Sequence, residues 1–378
     1  MSARLEPVPM LDLVPEIEAQ WDELMKAIEG VLRSGEFILG PNVEAFEREI
    51  AEYLGVKHAI GVNSGTDALM ISLRALGIGP GDEVITTPFT FFATAESISN
   101  VGATPVFVDI EPVTFNIDPE LIESAITSRT KAILPVHLYG HPAEMGRVTE
   151  IAKAHGLKVV EDCAQAMGAE YAGRKVGTFG QASAFSFFPS KNLGAFGDAG
   201  LIATDDDRVA ELALMLRAHG SKRKYENEML GFNSRLDELQ AAILRVRLTR
   251  LDETNEGRRR LAERYSEWLA DSEDFTIPAE VEGVRHVYNQ YTIRAHRMDR
   301  DVVRRDFAEA GISTMVYYPR PLHRFRVFAT AHWRCNLADQ AAAEVLSLPI
   351  TTGLAGNLQR RVSEALAGAL LLGSGALH

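Results

Sequence analysis

Between residues 57 and 204, short apolar runs alternate with stretches of helical spacing. The runs at 58–62, 83–86, 105–108, 132–136, 158–161, 182–187 and 200–203 have the length of strands. The segments 66–76, 91–100, 119–125 and 144–155 lie between most of them and carry apolar residues at three- and four-residue intervals. Runs such as Val159-Val160 are continuously apolar rather than alternating, which fits strands buried on both faces. The pattern therefore predicts an α/β fold built on a mostly parallel sheet with helices on both sides.

The pattern then changes. From 235 to 269 the chain reads as one long amphipathic helix, with Leu236, Leu239, Ile243, Val246 and Leu251 on one side and heavy charge on the other. After Pro278 follow a strand candidate at 287–293, a helix at 300–310, a strand at 314–318 and two closing helices. This is α+β organisation. It predicts a large domain over 1–250 and a small C-terminal domain over 251–378, a division that suits 378 residues.

Composition narrows the function. A net charge of −13 argues against nucleic acid as a main partner, because a phosphate backbone needs a basic surface. Anionic ligands must then be held by local donors. Cys163 and Cys335 are the two cysteines, too few for a disulfide framework or a metal-type spacing, so a reducing cytoplasm is expected. Cys163 reads as a small packed residue. Residues 1–10 lack the apolar run of a signal peptide. The longest apolar stretch, 365–372, is far short of a membrane span.

The chemistry centres on Lys191, which follows a strand through Phe187-Phe188-Pro189-Ser190 into a turn. Aromatic surroundings disfavour the ammonium form, and a neutral lysine amine suits a Schiff base with a carbonyl group. Asn63-Ser64-Gly65-Thr66-Asp67 closes a strand and opens a helix, either as a phosphate cradle or as a plain N-cap. Asp162 ends a buried strand, where it can keep a pyridine nitrogen protonated or cap the next segment. Gln165 can reach a ring oxygen, Ser186 can add a hydroxyl to a phosphate, and one aromatic in 88–94 can stack on a flat ring or simply fill the core. Together these are the parts of a pyridoxal phosphate site.

Many short motifs in one order carry a resemblance: 37–41, 64–69, 79–85, 105–109, 135–140, 161–165, 185–194, 197–198, 233–237, 317–323 and 346–349. Through them the chain resembles the DegT/DnrJ/StrS family of pyridoxal-phosphate-dependent nucleotide-sugar aminotransferases over nearly its whole length. The resemblance implies the type I aminotransferase fold, with a seven-stranded sheet in the large domain, and a homodimer sharing two sites. It implies that Gly65, Thr66 and Ser186 hold the cofactor phosphate, with Asn233 reaching the partner subunit's cofactor. Asp162 would meet the ring nitrogen, Gln165 the phenolic oxygen and Phe91 the ring face. Arg235 is a candidate for a substrate carboxylate or for a salt bridge at a helix start. Tyr317, Tyr318 and His323 match a stretch lining the substrate side, although His323 also reads as a loop histidine. Lys222, Arg223 and Lys224 are either donors to a diphosphate or a solvated loop.

The implied reaction aminates a keto group of a nucleotide-linked sugar, with a lean towards a 3-keto sugar and with L-glutamate as donor. Dehydratases of the family carry histidine in place of Lys191, which argues against that activity. A keto-cyclitol aminotransferase using glutamine, and a catalytically silent regulator, are the competing readings.

Overall fold

The computed structural model describes residues 7–223, 225–328, 333–352 and 356–373. Lys224 of the basic triplet lies outside them. Seven strands form the main sheet: β1 (His58–Val62), β2 (Glu83–Thr86), β3 (Thr104–Phe107), β4 (Thr130–Leu134), β5 (Lys158–Asp162), β6 (Ala182–Ser186) and β7 (Gly200–Thr204). Their order is β1-β7-β6-β5-β4-β2-β3. Only β7 runs antiparallel to its neighbours, and the other pairings are parallel. The sheet matches the seven expected runs with shifts of one or two residues at their ends.

Side chains alternate across this sheet as the two-residue period demands. Val84, Leu134, Val160 and Ile202 face helices α3 (Gly65–Ala75), α4 (Phe92–Asn100) and α6 (Asp207–Leu216). Ile85, Ile133 and Val159 face α5 (Met145–His155) through Met145, Val148 and Ile151. Two further helices, α1 (Trp21–Ser34) and α2 (Pro41–Leu54), precede β1. Phe46 and Ile50 of α2 cover Phe185 and Leu201. Both faces of the sheet are thus dry, which explains the unbroken apolar strands.

A second, three-stranded antiparallel sheet contains β8 (Phe275–Thr276), β9 (Tyr291–Ala295) and β10 (Val345–Leu348). Its core gathers Tyr265, Tyr291, Phe307 and Leu346, and it also takes in Val8 from the start of the chain. Val8 donates to the Gly311 carbonyl at 2.8 Å. The N-terminal segment therefore crosses onto the C-terminal unit.

Three elements differ from the sequence expectation. The long helix over 235–269 is two helices, α7 (Glu238–Leu248) and α8 (Leu251–Leu269), separated where Arg250 takes φ −115° and ψ 7°. The apolar stripe is real but serves two cores: Ala241 and Leu244 pack beside α2, whereas Leu261, Ala262 and Tyr265 pack on the second sheet. A straight helix cannot face both. The expected boundary at residue 250 falls in this break. The strand expected over 287–293 begins only at Tyr291, because 287–290 turns away to bond the backbone of Tyr139 and Gly140. The strand expected over 314–318 is reduced to one bridge, Met315 with Ser347.

Two glycines let α3 start hard against the sheet. A Cβ on Gly65 would lie 2.7 Å from the Ser186 Cβ, and one on Gly200 would lie 2.4 Å from the Ser64 carbonyl carbon. Such distances force neighbours apart. Gly65→Ala should lower stability by about 1–3 kcal/mol in denaturant unfolding, and an unchanged midpoint would show that the helix start has room to spare.

Candidate active site

The carboxyl ends of β1, β2, β5 and β6 open onto one cavity of about 490 Å³. Its walls bring together Gly65, Thr66, Phe91, Asp162, Gln165, Ser186, Lys191, Tyr317 and Tyr318. Ligands in open α/β sheets bind at this edge, where loops after different strands converge.

The amine is built first. After β6, the Lys191 N–H donates to the Phe188 carbonyl at 2.8 Å and closes a turn that points the side chain into the cavity. Burial pushes the amine down to about 8, and the charge of Asp162 pulls in the opposite direction. Phe185 and Phe187, expected to surround it, belong to the core beneath. The aromatic rings in the cavity wall are Phe91, Phe188, Tyr317 and Tyr318.

The next residue ties that turn down. The Asn192 Nδ2 donates to Asn255 Oδ1 at 2.6 Å and to the Val287 carbonyl at 2.9 Å. Its Oδ1 accepts from Asn289 Nδ2 at 2.8 Å. Asn255 in turn donates to the Met167 carbonyl at 3.0 Å. Three buried amides from distant parts of the chain thus fix the turn that carries the amine. They left no trace in the sequence pattern, because nothing local relates 192, 255 and 289.

The acid stands opposite. Asp162 is buried, and its Oδ2 accepts from Thr94 Oγ1 at 2.8 Å while its Oδ1 accepts from the Ala164 N–H at 3.1 Å. Burial raises the carboxyl above its ordinary value, and these two donors with the Lys191 charge oppose the rise. Thr90 lies 3.0 Å from Thr94, so the acid ends a short hydroxyl chain. The i, i+4 threonines at a helix start were the available signal for this support.

The remaining wall groups are oriented by the protein. Gln165 accepts the Tyr139 N–H at 2.6 Å and donates to Tyr318 Oη at 3.0 Å. Burial pushes the Tyr318 hydroxyl up. The exposed Phe91 ring stands 6.2 Å from Tyr318, tilted by 40°. Ser64 caps α3 by accepting the Asp67 N–H at 3.1 Å. The plain-cap reading is thus observed, and the first-turn N–H groups of Gly65 and Thr66, which have no intrahelical acceptor, face the need for a partner that a cradle would meet.

Three expected site residues stand elsewhere. Asn233 is exposed and pairs its backbone with Ala218. Arg235 lines a separate surface cleft with Leu39, His219 and Arg223. His323 is buried 3.4 Å from Asp339, and burial lowers its imidazole. Lys222 pairs with Glu211 at 2.7 Å, which favours the solvated-loop reading for that residue. Glu161, buried beside His137 and Cys163, accepts the N–H groups of Gly177, Phe179 and Gly180, so its oxygens serve the fold.

Residues 19–367 match the profile of the DegT/DnrJ/EryC1/StrS aminotransferase family. The chain is 52% identical over 365 residues to the pleiotropic regulatory protein of Geobacillus stearothermophilus, covering 95% of this chain and 98% of that one. It is 48% identical over 344 residues to the UDP-N-acetyl-3-dehydro-α-D-glucosamine 3-aminotransferase of Acidithiobacillus ferrooxidans, covering 91% and 92%. A crystal structure of DesV from S. venezuelae in complex with a ketimine intermediate superposes with a TM-score of 0.93 at 46% identity, covering 96% and 98%. NtdA from Bacillus subtilis, with bound cofactor PMP, gives a TM-score of 0.91 at 35% identity, covering 98% and 86%. The fold is that of the pyridoxal-phosphate-dependent aminotransferases.

Pyridoxal 5′-phosphate is the cofactor of such enzymes, and the donor set here fits it. Free first-turn N–H groups and Ser186 suit its phosphate, the buried Asp162 its ring nitrogen, and Lys191 its carbonyl. The close approach of Gly65 to Ser186 leaves this cradle free of any intruding Cβ.

Two outcomes follow. The neutral form of Lys191 is the reactive one, so labelling of the cofactor-free protein by a carbonyl or acylating reagent should rise with pH to a midpoint near 8. Peptide mass spectrometry reads this directly. A profile coinciding with that of the exposed Lys26 would remove the buried-amine reading. Asn192→Ala, which strips partners from Asn255 and Asn289, should cost about 1–3 kcal/mol for each buried group left unpaired, measured by urea unfolding.

Proposed function

The chain belongs to the DegT/DnrJ/EryC1/StrS aminotransferase family, and from that premise we propose that it aminates the 3-keto group of a UDP- or dTDP-linked sugar with L-glutamate as donor. The carrying observation is the half-buried Lys191 in one cavity with the buried, hydrogen-bonded Asp162. The 3-aminotransferase name of the Acidithiobacillus relative supports the sugar position. The name of the Geobacillus relative concerns regulation. An assembled amine, acid and anion cradle have no purpose in a silent regulator, so the enzymatic reading is preferred.

Pyridoxal phosphate supplies a carbonyl for amines to condense with and a ring that withdraws electrons when its nitrogen is protonated. The chain's own residues provide the rest. Asp162, made more basic by burial and kept in place by Thr94 and Ala164, holds the proton at that ring nitrogen. Lys191 takes the proton from the donor's α-carbon as a general base. In the second half it returns a proton to the sugar carbon that receives the amine. Gln165, fixed by Tyr139 and Tyr318, retains a second amide hydrogen for the phenolic oxygen. Phe91 lines the cavity and would supply a ring to stack on the cofactor.

The proposal includes a homodimer. Asn233 and Arg235 lie away from their own chain's cavity, and a second copy is what would bring them to one, Asn233 to the phosphate and Arg235 to a substrate carboxylate. Residues 1–250 and 251–378 would act as the large and small domains, with the cavity taking Tyr317 and Tyr318 from the second. His323 would support that segment from behind. A reducing cytoplasm suits the two unbridged, buried cysteines.

The test is direct. The protein loaded with pyridoxal phosphate should change its absorbance with L-glutamate and then aminate a UDP- or dTDP-linked 3-keto sugar. Lys191→Ala should lose on the order of 10²-fold to 10⁴-fold through the proton transfer alone. Amination of a keto-cyclitol with glutamine, and of no nucleotide sugar, would replace this reading with its closest rival.

A further inference from the structure

Gln290 stands apart in the cavity wall. Asp162 and Gln165 already hydrogen-bond protein partners, whereas Gln290 lines the same cavity with its amide oxygen buried and without a hydrogen-bond partner among the described residues. The residue is nevertheless held firmly. Its N–H donates to the Tyr139 carbonyl at 3.3 Å. The carbonyls of the two preceding residues, Tyr288 and Asn289, accept from the buried Arg258 guanidinium at 3.3 and 3.4 Å. The Asn289 side chain is locked to Asn192, next to the catalytic lysine. The fold therefore places this amide in the same cavity as the Lys191 amine and holds its backbone in place.

Buried polar groups are ordinarily paired, and one left open in a cavity is completed by what binds there. A carboxamide both donates and accepts. Its natural complement is a group that does the same, such as a ring hydroxyl or an acetamido substituent. The carboxylates of an amino donor are anions better served by a guanidinium or ammonium.

We propose that Gln290 is a specificity-determining residue that hydrogen-bonds a hydroxyl or acetamido group on the ring of the acceptor sugar. This rests on the nucleotide-sugar reading above. Gln290 acts in the acceptor half of the reaction and leaves the donor half to Lys191 and its neighbours. Removing the amide weakens the sugar and spares glutamate.

The experiment compares the loaded wild type with Gln290→Leu and Gln290→Ala. The glutamate half-reaction is followed by absorbance, the sugar half by KM for UDP-N-acetyl-3-dehydroglucosamine. Binding of the corresponding UDP-linked 3-amino sugar is measured by calorimetry. The expected result is a rise of about tenfold or more in that KM and Kd, with the glutamate rate close to wild type. That glutamate rate also reports that the variants are folded. Unchanged sugar parameters, or both halves falling together, would overturn the role of Gln290. A wild type that responds to glutamate but neither converts nor binds a UDP- or dTDP-linked 3-keto or 3-amino sugar would instead overturn the substrate reading, and this inference with it.

Discussion

A lysine amine must lose its charge more readily than usual while it shares a cavity with a carboxylate that must keep its own. The rest of the site is arranged around that requirement. Withdrawal from water favours the neutral form of both groups, while their mutual attraction favours the charged form of both. The balance here is unequal. Burial is the largest influence on both groups, but Asp162 also receives two hydrogen bonds that support its anion, whereas the charge of Asp162 opposes burial at Lys191. The acid is defended and the amine is left exposed to desolvation, which gives each its separate chemical use.

Such a balance survives only if the amine stays where it is. The turn that carries it is pinned by Asn192 to Asn255 on the helix Leu251–Leu269 and to Asn289 just ahead of the second sheet. Neutral amides suit this task, since each can donate and accept without adding a charge that would disturb the lysine. The same network couples the seven-stranded sheet to the C-terminal unit, so the cavity forms at their seam. Tyr317 and Tyr318 close it from that second side, and Tyr139 donates its hydroxyl to the Tyr317 carbonyl across the seam.

The fold is shared with relatives of quite different names, from a pleiotropic regulatory protein to a sugar 3-aminotransferase. The strand ends therefore account for the reaction type, and the substrate must be read from what surrounds them. In this chain that surround includes the loop ahead of Tyr291, where Asn289 braces the lysine turn and Gln290 lines the cavity with its amide oxygen unpartnered among the described residues.

The sequence by itself determined the seven strands, their helices and most of the cavity. These depend on local patterns: apolar runs buried on both faces, a Ser-Gly-Thr helix start, an acid ending a strand, a lysine after one. Seven of twelve expected site residues meet at one sheet edge because parallel strands deliver their carboxyl ends together, and Tyr317 and Tyr318 join them from outside that sheet. Tertiary structure alone decided the break at Arg250, since one apolar stripe had to serve two cores. It alone turned 287–290 and 314–318 from strand into site wall. It alone joined Asn192, Asn255 and Asn289, because a hydrogen bond between residues dozens of positions apart has no period to read. Asn233 and Arg235 remain outside their own chain's cavity for a related reason: their task, as proposed, lies across a contact between two copies, which neither one sequence nor one chain contains.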